Sequence, residues 1–136
     1  MIRRKPSRRR RGMSIVECAA IFPVTILLLM GTVIMGLGVF RYQQVQSLAR
    51  EGARYASVRG PGYAQATGNS QASASSVQTY VSGLAVGLNG LECTAVSYSA
   101  TSLPCTVTVT LSYTWKPEGL FSQQSWTVSS TMPVTY

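Results

Sequence analysis

Residues 8–40 read RRRRGMSIVECAAIFPVTILLLMGTVIMGLGVF, and this stretch decides the architecture of the chain. Its longer part, Cys18–Phe40, contains no charged residue and is called the uncharged segment below. As a helix with a rise of about 1.5 Å per residue, it extends about 35 Å, which is enough to cross a hydrocarbon core of roughly 30 Å. Pro23 and the glycines are compatible with this, because membrane helices tolerate both residue types. The stretch therefore predicts one transmembrane helix.

Positive charge is concentrated at the start of the chain. The net charge is +8 over 136 residues, but from Met13 onward five basic residues face four acidic ones, a balance of +1. Basic residues beside a membrane span are retained in the cytoplasm, so the N-terminus is expected there and the residues after Phe40 outside the cytoplasmic (inner) membrane. A nucleic-acid-binding arm is the alternative, but no recognition module follows. The predicted topology signal consists of Arg8, Arg9, Arg10 and Arg11.

Two other kinds of N-terminal segment fit part of this pattern. A secretory signal peptide has a similar basic region, but its apolar part is usually only about 7–15 residues long. A plain signal anchor needs nothing beyond the basic run and the apolar helix. Gly12 and Glu17 are the residues that neither alternative requires.

Glu17 is a lone carboxylate at the start of the apolar helix. An acid at the bilayer midplane costs about 2.5–3.5 kcal/mol and less at the edge, so Glu17 needs a partner or a polar location. Cleavage between Gly12 and Met13 would create a new α-amino group four residues before Glu17. The ammonium of a neighbouring subunit could then pair with this carboxylate and set the axial register between helices. Alternatively, Glu17 lies in the headgroup layer and compensates the helix dipole.

The motif GMSIVE at residues 12–17, preceded by arginines and followed by apolar residues, resembles the prepilin peptidase site of type IV pilins. Together with Pro23 and the sequence AREGARYA at residues 49–56, it resembles TadE-like proteins, which are pseudopilins of the tight-adherence (Flp, type IVc) pilus system. The resemblance covers about residues 8–58. Cys18 departs from it, because an aromatic or other bulky residue usually follows the glutamate.

This resemblance implies a function. A prepilin peptidase would cut after Gly12, and the mature chain starting at Met13 would serve as a pseudopilin or minor pilin in pilus assembly and adhesion. Its partners would be membrane lipid, the peptidase, other pilins or pseudopilins and the pilus assembly platform. The protein would remain in the membrane or enter a surface pilus.

The helix is predicted to continue beyond the uncharged segment to about residue 60, where VRGPG ends it. Six small or apolar residues at helical spacing form one face. They are Val45, Leu48, Ala49, Gly52, Tyr55 and Ala56. This face is expected to pack on the chain's own C-terminal domain, with packing on sister subunits as the alternative. The predicted organisation is a basic leader at 1–12, the transmembrane helix with its amphipathic extension at 13–60, and an extracytoplasmic domain at 61–136.

The C-terminal part predicts a small α+β domain. Residues 64–76 are small and polar and predict a loop. A short helix is expected over residues 77–88, ended by Gly87 or Gly90. Alternation over 105–115 predicts a half-buried strand, with further strands at about 91–98 and 126–136. The predicted fold class is therefore α+β, a long transmembrane helix followed by a short helix and an antiparallel sheet of about three strands.

The cysteines and the absence of histidine limit the covalent links, metal sites and catalytic sites that the chain can form. Cys93 and Cys105 stand at the starts of two predicted strands and form a candidate disulfide outside the cytoplasm, provided that their Cα atoms lie within about 7 Å. Cys18 is left over as a small apolar residue. There is no histidine, and the four carboxylates are scattered. No enzymatic activity, cofactor, metal site, small-molecule substrate or nucleic-acid partner is expected.

Two other functions fit parts of the sequence. A membrane-anchored extracytoplasmic binding domain without a pilus role needs neither Gly12 nor Glu17. A minor pseudopilin of type II secretion shares the leader chemistry, but the sequence at residues 49–56 disfavours it.

Overall fold

The structure is a computed structural model that describes residues 9–101, 104–117 and 122–135. Within these ranges the chain forms three helices and three strands. They are α1 (Arg9–Val58), α2 (Pro61–Thr67), α3 (Ala74–Leu84), β1 (Leu91–Tyr98), β2 (Thr106–Trp115) and β3 (Gln124–Pro133). The strands form one antiparallel sheet in the order β1-β2-β3. The predicted fold class is confirmed.

Helix α1 runs through both compact units of the chain. The first unit extends to Leu37, and the second begins at Gly38, earlier than the boundary at residue 61 predicted from the sequence. The reason is that the second half of α1 supplies part of the core of the folded domain.

That half of α1 presents small residues to the domain. Val45, Ala49, Ala53 and Ala56 are completely buried, and they recur every three or four residues on one side of the helix. Small side chains allow the helix backbone to approach its neighbours closely. The prediction that this face packs on the chain's own domain is confirmed, and these four positions have no surface left for a sister subunit.

The alternating pattern of β2 is also confirmed. Val107, Val109, Leu111 and Tyr113 are buried, whereas the threonines and serine between them are partly exposed. Because successive side chains of a strand point to opposite faces, one face of the sheet covers α1 and α3 and the other meets solvent. β3 lies at an edge of the sheet and ends at Pro133, as its proline predicts.

Strand β1 changes its alternation halfway. The pairing with β2 shifts between Cys93 and Ala95, so that Thr94 is the extra residue of a β-bulge. Before the bulge Leu91 and Cys93 face inward, and after it the inward residues are Val96 and Tyr98. A strict two-residue period would have turned Tyr98 outward, so the bulge aims this side chain at the core.

The candidate disulfide between Cys93 and Cys105 is wrong. Both thiols are free, Cys93 half-buried and Cys105 buried. Cys93 pairs with Leu111, which is six residues beyond Cys105, so the two cysteines lie about 20 Å apart along the hairpin. Antiparallel strands begin at opposite ends of their ladder, and two cysteines that each precede or open a strand are therefore separated.

The connection between α1 and α3 is more helical than predicted. Part of the expected loop is α2, which starts with Pro61 in its first turn and ends at Gly68 in the left-handed conformation. α3 begins at Ala74, three residues before its predicted start, because Ser73 and Ser76 form a capping box. It ends at Leu84, and Gly87 and Gly90 have positive φ angles in the following turns rather than within the helix.

Tyr98 joins the sheet to the end of α1. Its Oη lies 3.3 Å from the carbonyl oxygen of Ala56, 3.2 Å from that of Arg59 and 3.3 Å from that of Ala72. The last carbonyl groups of a helix have no partner within the helix, and this hydroxyl supplies one. The bulge in β1 and the end of α1 are thus fixed by the same side chain.

Candidate functional site

The N-terminal part of α1 exposes apolar side chains around its whole circumference. Between Ile15 and Leu37, the exposed large apolar side chains retain 50–71 % of their accessible surface. The segment is long and apolar enough to cross a membrane. A helix that is apolar on every side requires an apolar surrounding. This part of the structure is therefore compatible with a single-pass membrane protein.

Polar groups inside this segment find partners within the helix. Thr25 Oγ1 donates to the carbonyl oxygen of Ile21 at 3.0 Å, and Thr32 Oγ1 donates to that of Leu29 at 2.8 Å. Pro23 removes one backbone N–H from the helical pattern. In lipid an unpaired polar group costs several kcal/mol, so internal pairing of the two hydroxyls suits an apolar surrounding.

The predicted cleavage site lies in the first turns of α1. The Gly12–Met13 bond is inside the helix, as are Arg9, Arg10 and Arg11 of the topology signal, whereas Arg8 lies outside the described residues. Glycine is the weakest helix former after proline, by about 1 kcal/mol relative to alanine. Gly12 therefore marks the point in this part of the helix at which local unwinding is easiest.

Glu17 lies one helical turn after Met13. Its side chain is exposed. Among the side chains described, from Ile15 onward, the ion pair is Arg54 with Glu51 at 3.7 Å, on the domain's own part of α1. This pair is exposed and contributes little to stability. Within that part of the chain no ion pair involves Glu17.

A shallow depression lies on the folded domain where α1 faces the end of α3. Gln44 and Leu48 line it from α1, and Leu84 and Val86 from the end of α3 and the residues that follow it. Gln44 Oε1 is the buried side-chain polar atom that lacks a hydrogen-bond partner among the described residues. Arg41 of α1 also contacts the segment after α3, because its Nη1 donates to the carbonyl oxygen of Gly87 at 2.7 Å.

Sequence reasoning did not identify Tyr98, Gln44 or Gln78 as special residues. Gln78 of α3 donates from Nε2 to the carbonyl oxygen of Leu91 at 2.8 Å and accepts from the backbone N–H of Cys93. It thereby provides hydrogen-bond partners for two backbone groups on the outer edge of β1. Each of these roles depends on contacts between distant segments, and no local pattern in the sequence signals them.

Comparison with known families supports the N-terminal resemblance. The family model described as "TadE-like protein" matches residues 12–54. No curated protein and no solved structure matches the chain. The match begins at Gly12 and includes Glu17, the uncharged segment and most of the sequence AREGARYA. The resemblance inferred from the residues is confirmed over this segment.

Proposed function

We propose that this chain is a pseudopilin or minor pilin-like subunit of a Tad (Flp) pilus assembly and adhesion system. It has a structural role and performs no catalysis. The observation that carries the proposal is the family match, which starts at Gly12 and runs along a helix whose apolar surface is uncovered between Ile15 and Leu37. A cleavage motif, a span and a folded domain follow one another in the order that a prepilin-like protein needs.

The first step is insertion. The basic residues before Gly12 remain in the cytoplasm, and the uncharged segment enters the cytoplasmic membrane. The domain that begins at Gly38 then lies on the extracytoplasmic side. That domain has a sheet, two short helices and a continuous apolar core.

The second step is processing by a prepilin peptidase. Removal of residues 1–12 discards seven of the twelve basic residues, so the mature chain is close to neutral. A nearly neutral chain is no longer retained by its cytoplasmic charge and can be moved along the membrane normal. The cut also places a new ammonium group at Met13, one turn before Glu17.

The third step is assembly through the uncovered helix. In lipid no hydrophobic force drives helices together, so packing and polar contacts decide how they associate. Glu17 of one subunit and the Met13 ammonium of another supply opposite charges at nearly the same depth. Their pairing fixes the axial offset between subunits. Other pilins or pseudopilins and the assembly platform are the partners in this step.

Processing is tested by replacing Gly12 with leucine in cells that contain an active prepilin peptidase. The bulky side chain should block cleavage, and the variant should retain residues 1–12 on electrophoresis. Gly31→Leu is the matched control, because an added Cβ atom at Gly31 meets no atom within 4 Å. It should be processed like the wild type. Equal processing of the Gly12 variant would refute the proposed cleavage site.

A further inference from the structure

Four aromatic rings gather at one end of the β2–β3 hairpin, where the hairpin meets α1. The ring of Trp126 lies 5.8 Å from that of Tyr42, 5.7 Å from that of Trp115 and 6.1 Å from that of Tyr113, measured between centroids. We call Tyr42, Tyr113, Trp115 and Trp126 the aromatic cluster. Tyr113 pairs with Trp126 across the two strands, so the sheet itself holds three of the four rings together.

Trp115 fixes the cluster to a particular turn of α1. A Cβ atom at Gly38 would lie 3.1 Å from Cζ3 and 3.3 Å from Cη2 of the Trp115 ring. The ring therefore rests directly on the backbone of α1, at a glycine where no side chain intervenes. Tyr42, four residues further along α1, completes the contact. The height of the cluster along the helix is therefore set at residues 38–42.

This height coincides with the end of the uncharged segment. From Cys18 to Leu37 there are 20 residues, which as a helix extend about 30 Å, the thickness of a hydrocarbon core. Gly38–Tyr42 then falls in the next layer, where the lipid headgroups lie. Tryptophan and tyrosine are enriched at that depth, because their rings are apolar and their N–H or O–H groups are polar.

The surface around the cluster has the composition of such a layer. Phe40 is 55 % exposed and Tyr42 is 38 % exposed, although both lie beside a folded domain. Trp115 and Trp126 are also partly exposed. Lys116 follows Trp115 directly and is exposed, so a cation stands next to the rings. Apolar faces combined with a cation suit the junction between acyl chains and anionic headgroups.

We infer that the aromatic cluster is a membrane-surface anchor, whose occupant is the phospholipid headgroup layer on the extracytoplasmic side. The inference rests on the insertion of the uncharged segment that the proposed function requires. It adds that the folded domain is held at the membrane surface by these rings. The domain does not stand away from the bilayer on a free helix. Its hairpin end lies in the interface at Gly38, and this contact fixes the depth of the domain before assembly.

Depth-dependent fluorescence quenching tests this directly, because Trp115 and Trp126 are the chain's two tryptophans. Full-length Trp115→Phe and Trp126→Phe variants each leave one reporter and keep an aromatic ring at the changed site. They are reconstituted in vesicles of phosphatidylethanolamine and phosphatidylglycerol with nitroxides on the headgroup, high on the acyl chain or near its end. We expect quenching to be strongest for the two shallow labels, with both indoles about 15–20 Å from the bilayer centre.

The Gly38→Leu variant adds a second readout. Its side chain should displace the Trp115 ring, so quenching of Trp115 by the shallow labels should fall. Gly36→Leu should leave the quenching unchanged, because an added Cβ atom at Gly36 meets no atom within 4 Å. Strong quenching by aqueous iodide with none by any lipid label would overturn the inference, since the domain would then stand in water. Protection from both iodide and lipid labels would also overturn it, because sister copies would then cover the rings.

Failure of the inference can be separated from failure of the proposed function. Resistance of the reconstituted chain to carbonate extraction reports on insertion of the helix alone. A chain that is extracted by carbonate contradicts the proposed transmembrane subunit. A chain that resists extraction but shows no quenching by lipid labels contradicts only the surface anchor.

Discussion

The hydroxyl of Tyr98 stabilises more of the fold than its position at a strand end suggests. It lies within 3.3 Å of three carbonyl oxygens, from the end of α1, from the residue after it and from Ala72 before α3. A hydroxyl has one proton, so it donates to one carbonyl at a time and keeps all three near a donor. Burial raises the pKa of Tyr98, because the phenolate would lose its hydration.

We therefore expect Tyr98→Phe to destabilise the domain. One hydrogen bond would be lost, at a cost of about 0.5–1.5 kcal/mol in the free energy of unfolding, because the carbonyl groups of Ala56 and Arg59 keep backbone N–H donors from Arg59 and Ala72. Urea unfolding of the full chain in detergent micelles, followed by tryptophan fluorescence, measures it. The control is Tyr80→Phe, since Tyr80 stacks on Tyr55 and its ring is kept. A Tyr98 variant as stable as this control would show that the hydroxyl contributes nothing.

The raised pKa of Tyr98 also predicts a pH dependence. The unfolded chain ionises near the ordinary value of about 10, whereas the folded chain holds its proton to higher pH. The contribution of Tyr98 is thus complete below about pH 10 and is lost as the pH rises through the folded-state pKa. Above pH 10 the Tyr98→Phe variant should lose stability less steeply than the wild type in the same urea titrations.

Helices and strands with a strong local sequence pattern are predictable from the sequence, and those without such a pattern are not. The uncharged segment and the strict alternation of β2 each impose one structure on a long run of residues. β1 gave a weak signal, because the bulge at Thr94 reverses the alternation. The small polar residues around α2 predict a loop, since a seven-residue helix has little intrinsic stability and depends on Pro61 and Gly68 at its ends.

The contact of α1 with α3 and β2 at Gly52 yields a prediction at this scale. A Cβ atom there would lie 3.2 Å from methyl groups of both Val77 and Val81 and 3.5 Å from one of Val109. Valine side chains have few alternative rotamers, so they cannot move aside easily. We expect Gly52→Ala to cost about 1 kcal/mol net, because overpacking exceeds the gain in helix propensity.

The matched control is Gly83→Ala in α3, where an added Cβ meets no atom within 4 Å. This substitution should stabilise the domain by about 0.5 kcal/mol, since only helix propensity changes. Urea unfolding of both variants measures the difference. A stabilised Gly52 variant would show that α1 does not approach α3 and β2 as closely as the structure describes.

At the scale of the whole molecule, some functional residues follow a local sequence pattern, and others are brought together only by the fold. The processing site at Gly12 and Met13 and the register role of Glu17 can be proposed from the sequence, because the motif is a short linear pattern beside an apolar segment; they stay predictions. The aromatic cluster cannot be proposed in this way, because α1 supplies Tyr42 and the two strands supply rings more than seventy residues later. Short linear patterns are thus enough to propose insertion and cleavage, whereas a surface built from distant segments requires the fold.

Under the register hypothesis, Glu17 acts in the assembly and not in the isolated domain. Glu17→Gln removes the charge and nearly keeps the shape, so membrane insertion and processing should continue while recovery of cross-linked complexes with other pilins falls at least several-fold. Glu92→Gln, at an exposed position of β1, is the matched control and should assemble normally. Normal assembly of the Glu17 variant would contradict the register hypothesis and leave the headgroup location for this carboxylate.

We propose that proteolysis exposes Met13 as the first residue of a membrane-anchored subunit. Intact-mass spectrometry of the full protein, purified from membranes of cells with an active prepilin peptidase, measures this directly. The proposal predicts a mass corresponding to residues 13–136, and the mass of residues 1–136 when the peptidase is absent. A chain that retains residues 1–12 in the presence of the active peptidase would contradict it.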